Sequence, residues 1–123
     1  MTILDRILPD VRRELDEARA AVPLDEIKRR AALAPAPRDF AGALTAHGFG
    51  LIAEVKRRSP SMGDMRAANA EEAAGIYESS PVVRAVSVLT NVAHFGTGMD
   101  DLARIAAAST KPVLRKDFIL DPY

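Results

Sequence analysis

The stretch Gly50-Leu-Ile-Ala-Glu-Val-Lys-Arg-Arg-Ser-Pro-Ser-Met-Gly-Asp64 decides how this chain is read. Leu51, Ile52, Ala53 and Val55 make an apolar strand, yet Glu54 and Lys56 interrupt it. Side chains two apart on a strand point to the same face. Ile52, Glu54 and Lys56 therefore share one face, and Leu51, Ala53 and Val55 the other. The two charges stand at the carboxyl end of the strand, where an apolar sheet gives way to the loop Arg57-Arg-Ser-Pro-Ser-Met-Gly63.

Downstream the pattern alternates. Residues 51–56 read as a strand and 57–68 as a polar loop. Asn69 suits the cap of a helix running to about Glu78, with Glu71 and Glu72 in its first turn. Residues 84–90 read as a second strand, 91–98 as a Gly-containing loop, 99–108 as a helix and 112–118 as a third strand. Strands alternating with helices of this length argue for a parallel sheet. In the third strand Leu114, Lys116 and Phe118 share one face, and Val113, Arg115 and Asp117 the other. In a closed parallel barrel, alternate strands fill the same interior layer, and sites form at the strands' C-terminal ends. Glu54, Lys56 and Lys116 are therefore expected to converge at the rim of a pocket.

Upstream the spacing is helical. Ile3, Leu4, Ile7, Leu8, Val11 and Leu15 mark one helix. Pro9 either kinks it or lies in the first turn of a helix that starts there. A second helix is expected over 24–33, ended by Pro35-Ala-Pro37, and a short third over 39–46. His47-Gly48-Phe49-Gly50 is turn-like. Residues 1–48 thus read as an N-terminal helical extension, and 49–123 as a β-α-β-α-β unit.

Composition narrows the function. The 123 residues are 48% apolar, with 17 basic against 17 acidic side chains. That balance does not point to nucleic acid or an anionic membrane. No apolar run has membrane-spanning length, and the N-terminus lacks the pattern of a signal peptide, so a cytoplasmic location is expected. There is no cysteine, and His47 and His94 are the only imidazoles. No metal site is expected, because such sites draw mostly on Cys and His.

Three ordered motifs carry a resemblance. Ile52-Ala-Glu-Val-Lys-Arg-Arg-Ser-Pro-Ser61, Ser87-Val-Leu-Thr90 followed by Phe95-Gly96, and Pro112-Val-Leu-Arg-Lys-Asp-Phe-Ile-Leu-Asp-Pro-Tyr123 resemble indole-3-glycerol phosphate synthase of tryptophan biosynthesis. The resemblance covers nearly the whole chain. It implies an α/β fold, the N-terminal portion of a (β/α)8 TIM barrel with three parallel strands, preceded by extra N-terminal helices. It implies a carboxy-lyase that closes the ring of 1-(2-carboxyphenylamino)-1-deoxyribulose 5-phosphate with loss of carbon dioxide and water, and no cofactor. The partner implied is that anionic anthranilate-derived phosphosugar.

Residue by residue, the resemblance makes Lys116 the catalytic lysine of the third strand, a general acid. Lys56 holds the anionic part of the substrate, and Glu54 orients a lysine by a charge-assisted hydrogen bond. Ser59 and Pro60 match the mobile loop, Phe95 a pocket aromatic, and Leu114 and Phe118 share the face of Lys116 in substrate binding. A free Lys has a pKa of about 10.4; a second cation nearby and partial burial favour proton release. Two runs depart from the family pattern: Asn91-Val-Ala-His94, where acidic residues are usual, and Ser79-Ser-Pro-Val-Val-Arg84, where small ones are.

Plainer readings stand beside these. Glu54 and Lys56 also suit a simple ion pair on a half-exposed sheet, which contributes little. Arg57 and Arg58 read as a solvated loop pair, Ser59 and Ser61 as turn residues beside Pro60 or as phosphate contacts, and Phe95 as a pocket wall or a core anchor. His47 and His94 read as surface or packing residues, and Arg12 and Arg13 as the polar face of a helix. A complete barrel takes about 250 residues. The chain is accordingly expected to be a truncated form, inactive alone, that self-associates through open sheet edges. The alternatives are an inactive self-associating or complementing half-barrel module, or a different phosphosugar barrel enzyme.

Overall fold

The computed structural model describes residues 1–46, 48–65 and 69–123. His47 and the end of the loop expected at 57–68 lie outside the described residues. The chain forms two compact units, Met1–Ala36 with Phe118–Tyr123, and Pro37–Asp117.

The first unit holds α1 (Ile3–Ala21) and α2 (Leu24–Leu33). Helix α1 starts with a reciprocal cap: Asp5 N donates to Thr2 Oγ1 at 3.2 Å, and Thr2 N to Asp5 Oδ2 at 2.6 Å. This serves two backbone donors that have no helical partner. Pro9 lies inside this one continuous helix, whose start is therefore set by Thr2 and not by the proline. At the other end, the Tyr123 hydroxyl lies 2.8 Å from the Ala18 carbonyl and 2.6 Å from that of Val22. Ala18 O already accepts from Val22 N at 2.9 Å, so the carbonyl that gains its partner from the hydroxyl is that of Val22, at the helix C-terminus. Arg19 pairs with Asp121 at 2.5 Å and stands 5.9 Å from the centre of the Tyr123 ring.

The second unit runs α3 (Phe40–Thr45), β1 (Leu51–Val55), β2 (Arg58–Ser59), β3 (Gly63–Asp64), α4 (Ala70–Ser79), β4 (Val83–Leu89), α5 (Val92–Phe95), α6 (Met99–Ala108) and β5 (Val113–Lys116). Strands β1, β4 and β5 form one parallel sheet in the order β1-β4-β5. β2 and β3 form a small antiparallel hairpin within the expected polar loop. The helix after that loop begins where Asn69 Oδ1 accepts from Glu72 N at 2.7 Å.

The register sorts the sheet into two chemical faces. Val55, Val86 and Val88 are buried with Ala70, Ala73 and Ala74 of α4 and Ile105 of α6, and Ala53, Leu102 and Val113 pack against them. Burial of each valine or isoleucine side chain contributes about 1.5–3 kcal/mol. The other face carries Ile52, Glu54, Ser87 and Leu114, with Glu54 opposite Ser87 and Ser87 opposite Leu114. Ile52 and Leu114 stay 46% and 42% exposed.

The N-terminal ends of the strands are tied by a polar clamp. Glu78 at the end of α4 accepts from Ser109 Oγ at 2.6 Å and Thr110 N at 3.1 Å. Lys111 donates to the carbonyls of Tyr77 and, at 2.7 Å, Ser80. Bonds from Ser109, then Thr110, lower the Glu78 carboxyl from 4.5 to about 2. A depressed carboxyl contributes stability that is present above its unfolded value and lost as pH falls through the folded one. Glu78→Gln is therefore expected to be less stable than the parent at pH 7, and to lose less between pH 4.5 and 2. Urea denaturation at stepped pH measures both slopes; parallel curves would refute the assignment.

Candidate functional site

The carboxyl ends of β1 and β5 bring three charged side chains together. Glu54 Oε1 accepts from Lys56 Nζ at 2.9 Å, and Glu54 Oε2 from Lys116 Nζ at 2.8 Å. The second bond crosses β4, since β1 and β5 are not neighbours. Strands lie about 4.8 Å apart, so the two chains must span roughly 10 Å between them. Ser87 occupies the row between Glu54 and Leu114, and its small side chain leaves that span open. Its hydroxyl is buried and has no hydrogen-bond partner among the described residues.

Burial works against ionisation of Glu54, but hydrogen bonds from Lys116 and Lys56 outweigh it and hold the carboxyl below its ordinary 4.5. Glu54 is thus an anion near neutral pH, placed between two ammonium donors. Such an arrangement can present two positive groups to an anionic ligand while fixing their direction.

The other candidates lie in different places. Leu114 lies on the same face of the sheet as Glu54. Phe95 ends α5, half-buried, and its carbonyl accepts from Arg57 N at 2.8 Å. Ser59 closes a turn: its Oγ accepts from Met62 N at 3.0 Å and lies 3.4 Å from Ser61 Oγ. Pro60 is exposed in the same turn. Phe118 belongs to the other compact unit, because β5 stops at Lys116 and does not continue to residue 118. The reason is local: Lys116 pairs with Leu89, the last residue of β4, and beyond it the ladder has no partner.

Arg57 overturns the reading of a solvated loop pair. Its guanidinium grips Asp101 with two bonds, Nη2 to Oδ1 at 2.7 Å and Nη1 to Oδ2 at 3.0 Å, and also donates to Gly96 O at 3.0 Å. Asp101 in turn accepts from Gly98 N at 3.0 Å. The Arg57 hydrogen bonds hold the Asp101 carboxyl below its usual range against the opposing effect of burial. Gly96 fits here alone, with φ +69° and an added Cβ falling 2.9 Å from Arg57 Cβ. Arg58 points outward to Asp64 at 3.1 Å and to the Ala93 carbonyl at 3.2 Å. The exit of β1 is thus stitched to α5, directly beside Lys56.

The departure at Asn91 has a structural use. Asn91 is buried, and its Oδ1 accepts from His94 N at 3.0 Å to start α5. Nothing in the spacing of Arg57 and Asp101, 44 residues apart, announces their pairing. Among the described residues, no group of His, Asp and Glu is placed to hold a metal, and no helix is long and apolar enough to cross a membrane.

Comparison with known proteins bears on this geometry. A family model described as indole-3-glycerol phosphate synthase matches residues 4–123. Similar proteins carrying that name occur in Mycolicibacterium gilvum, 50% identical over 99% of this chain, and Saccharopolyspora erythraea, 45% identical over all of it. One from Mycobacterium leprae is 46% identical over 99%. The chain spans 45%, 46% and 45% of the length of these three relatives.

Proposed function

The chain belongs to the indole-3-glycerol phosphate synthase family, and from that premise we propose that its strand ends carry part of that enzyme's ring-closing site. The observation that carries the reading is Glu54 accepting from both Lys56 and Lys116 on one face of a parallel sheet. The alternation of three parallel strands with helices is that of the opening part of a (β/α)8 barrel. Residues 1–48 serve in this reading as the helical extension and 49–123 as the first β-α-β-α-β part.

The substrate is 1-(2-carboxyphenylamino)-1-deoxyribulose 5-phosphate, and the reaction class a carboxy-lyase. The ring carbon bearing the carboxylate attacks the ketone carbon, and the ketone oxygen takes a proton from Lys116. The carboxylate leaves as carbon dioxide, returning its bonding pair to the ring. The new hydroxyl then leaves as water after a second protonation, and the adjacent carbon loses a proton as the indole double bond forms. Lys56 holds the substrate's anionic part, Glu54 keeps both ammonium groups aimed, and Leu114 and Phe95 offer apolar surface to the aromatic ring. Ser59 and Pro60 complete the binding set. Positioned proton transfer of this kind contributes about 10²–10⁴-fold.

The exposed Ile52 and Leu114 beside the charged trio make this sheet face the surface that further barrel strands cover, whether from a second copy or from a complementing segment. The test combines the 123-residue chain with the portion of the Mycolicibacterium gilvum relative that the match leaves uncovered. Indole-3-glycerol phosphate fluorescence should appear with both parts and stay near background with either alone. A mixture that forms a complex yet yields no product would reject the assigned reaction.

A further inference from the structure

Lys116 is the last residue of β5, and its side chain reaches across a whole strand to Glu54. A long flexible arm anchored at a strand terminus magnifies any rotation of its own backbone. Displacements of about 1 Å can cost about 10²-fold in rate. Something must therefore hold the terminus, and the candidates are the residues on either side of it.

Arg115 and Asp117 flank Lys116 and point to the opposite face of the strand. Both are bound by one hydroxyl. Thr90 Oγ1 donates to Asp117 Oδ2 at 2.7 Å and accepts from Arg115 Nε at 3.0 Å, while Arg115 Nη2 lies 3.2 Å from Asp117 Oδ2. Thr90 N also donates to the Lys116 carbonyl at 3.2 Å, one residue beyond the end of β4. Thr90 and the Asp117 side chain are each only 7% exposed, so water competes little for these bonds. One threonine thus holds the carbonyl of Lys116 and both of its neighbours.

We propose that Thr90, through Arg115 and Asp117, is a positioning residue for Lys116; its bearing on ring closure rests on the function proposed above. The hydroxyl acts both as donor and as acceptor, so Thr90→Val removes its bonds to Asp117 and Arg115 at nearly constant shape while the backbone bond to Lys116 stays, and Thr90→Ser retains all of them. The ion pair between Lys116 and Glu54 should loosen in the first variant and persist in the second. The pair between Lys56 and Glu54 lies on β1's side and should be spared in both.

The test reads the two lysines separately. In the chain carrying ¹⁵N-labelled lysine, with signals assigned through Lys56→Arg and Lys116→Arg, hydrogen exchange of the Lys116 ammonium should quicken at least fivefold in Thr90→Val. Exchange at Lys56 should stay within twofold, and Thr90→Ser should behave as the parent. In the two-part assay, kcat per folded complex, with the folded fraction measured by circular dichroism, should fall about tenfold with KM within twofold. An unaltered Lys116 signal in Thr90→Val, or equal quickening at both lysines together with a lower melting temperature, overturns the proposal. If Lys116 alone loosens while even the parent complex forms no product, the positioning stands and the assigned reaction falls.

Discussion

Lys116→Ala is expected to lower indole-3-glycerol phosphate formation in the two-part assay by about 10²–10⁴-fold, the usual contribution of a positioned general acid. The Lys116 side chain is 54% exposed, so its removal should change folding stability by no more than about 0.5 kcal/mol. The loss therefore belongs to the chemistry. Glu54 keeps one donor, Lys56, so the carboxylate is not stranded. Lys56→Ala should act differently. It should weaken binding of the reduced substrate analogue, in which an alcohol replaces the ketone, more than Lys116→Ala does. Calorimetric titration of the two variants with that analogue separates the roles. Turnover within threefold of the parent in Lys116→Ala would sink the assignment.

The second large effect falls on stability. Asp101→Ala is expected to cost about 1–3 kcal/mol at pH 7, because it strips acceptors from the Arg57 guanidinium and from the buried Gly98 N–H at once. The Asp101 side chain is 11% exposed and that of Arg57 34%, so solvent repays part of the loss on the arginine side only. Asp101→Asn keeps one acceptor oxygen and should lose less. The sign with pH follows from the depressed carboxyl. Its contribution is fully present above the ordinary value of 3.8 and disappears as pH falls through the lower folded value. Urea denaturation of parent and Asp101→Ala should therefore differ clearly at pH 7 and converge towards pH 2. A gap that persists undiminished at pH 2 would mean that the ion pair is not its source.

Much of the architecture was legible along the chain because it depends on local rules. Asn69 and Asp39 start helices as short polar side chains do, and the alternation around Glu54 assigned Ile52, Glu54 and Lys56 to one face of a strand. The motif around Lys116 placed it on that same face. Three details were not legible. Helix α1 runs through Pro9, since a cap at Thr2 and the rest of the helix outweigh one missing N–H. Strand β5 ends at Lys116 because β4 offers no further partner, which no property of Phe118 reveals. Arg57 is held by Asp101 and not by water, because the start of α6 returns beside the exit of β1.

By itself the sequence determined the kinds of element, their order, and the parity that puts a carboxylate and two ammonium groups on one side of a sheet. Those are consequences of short-range sterics and of a two-residue period. Tertiary structure alone decided the partners that no pattern announced: Arg57 with Asp101 over 44 residues, and Thr90 with Asp117 over 27. Such contacts depend on the order and stagger of strands in space. Hydrogen bonds form only at contact distance, and screened charges attract appreciably only within about 8–10 Å, separations that the spacing of letters in a chain does not encode.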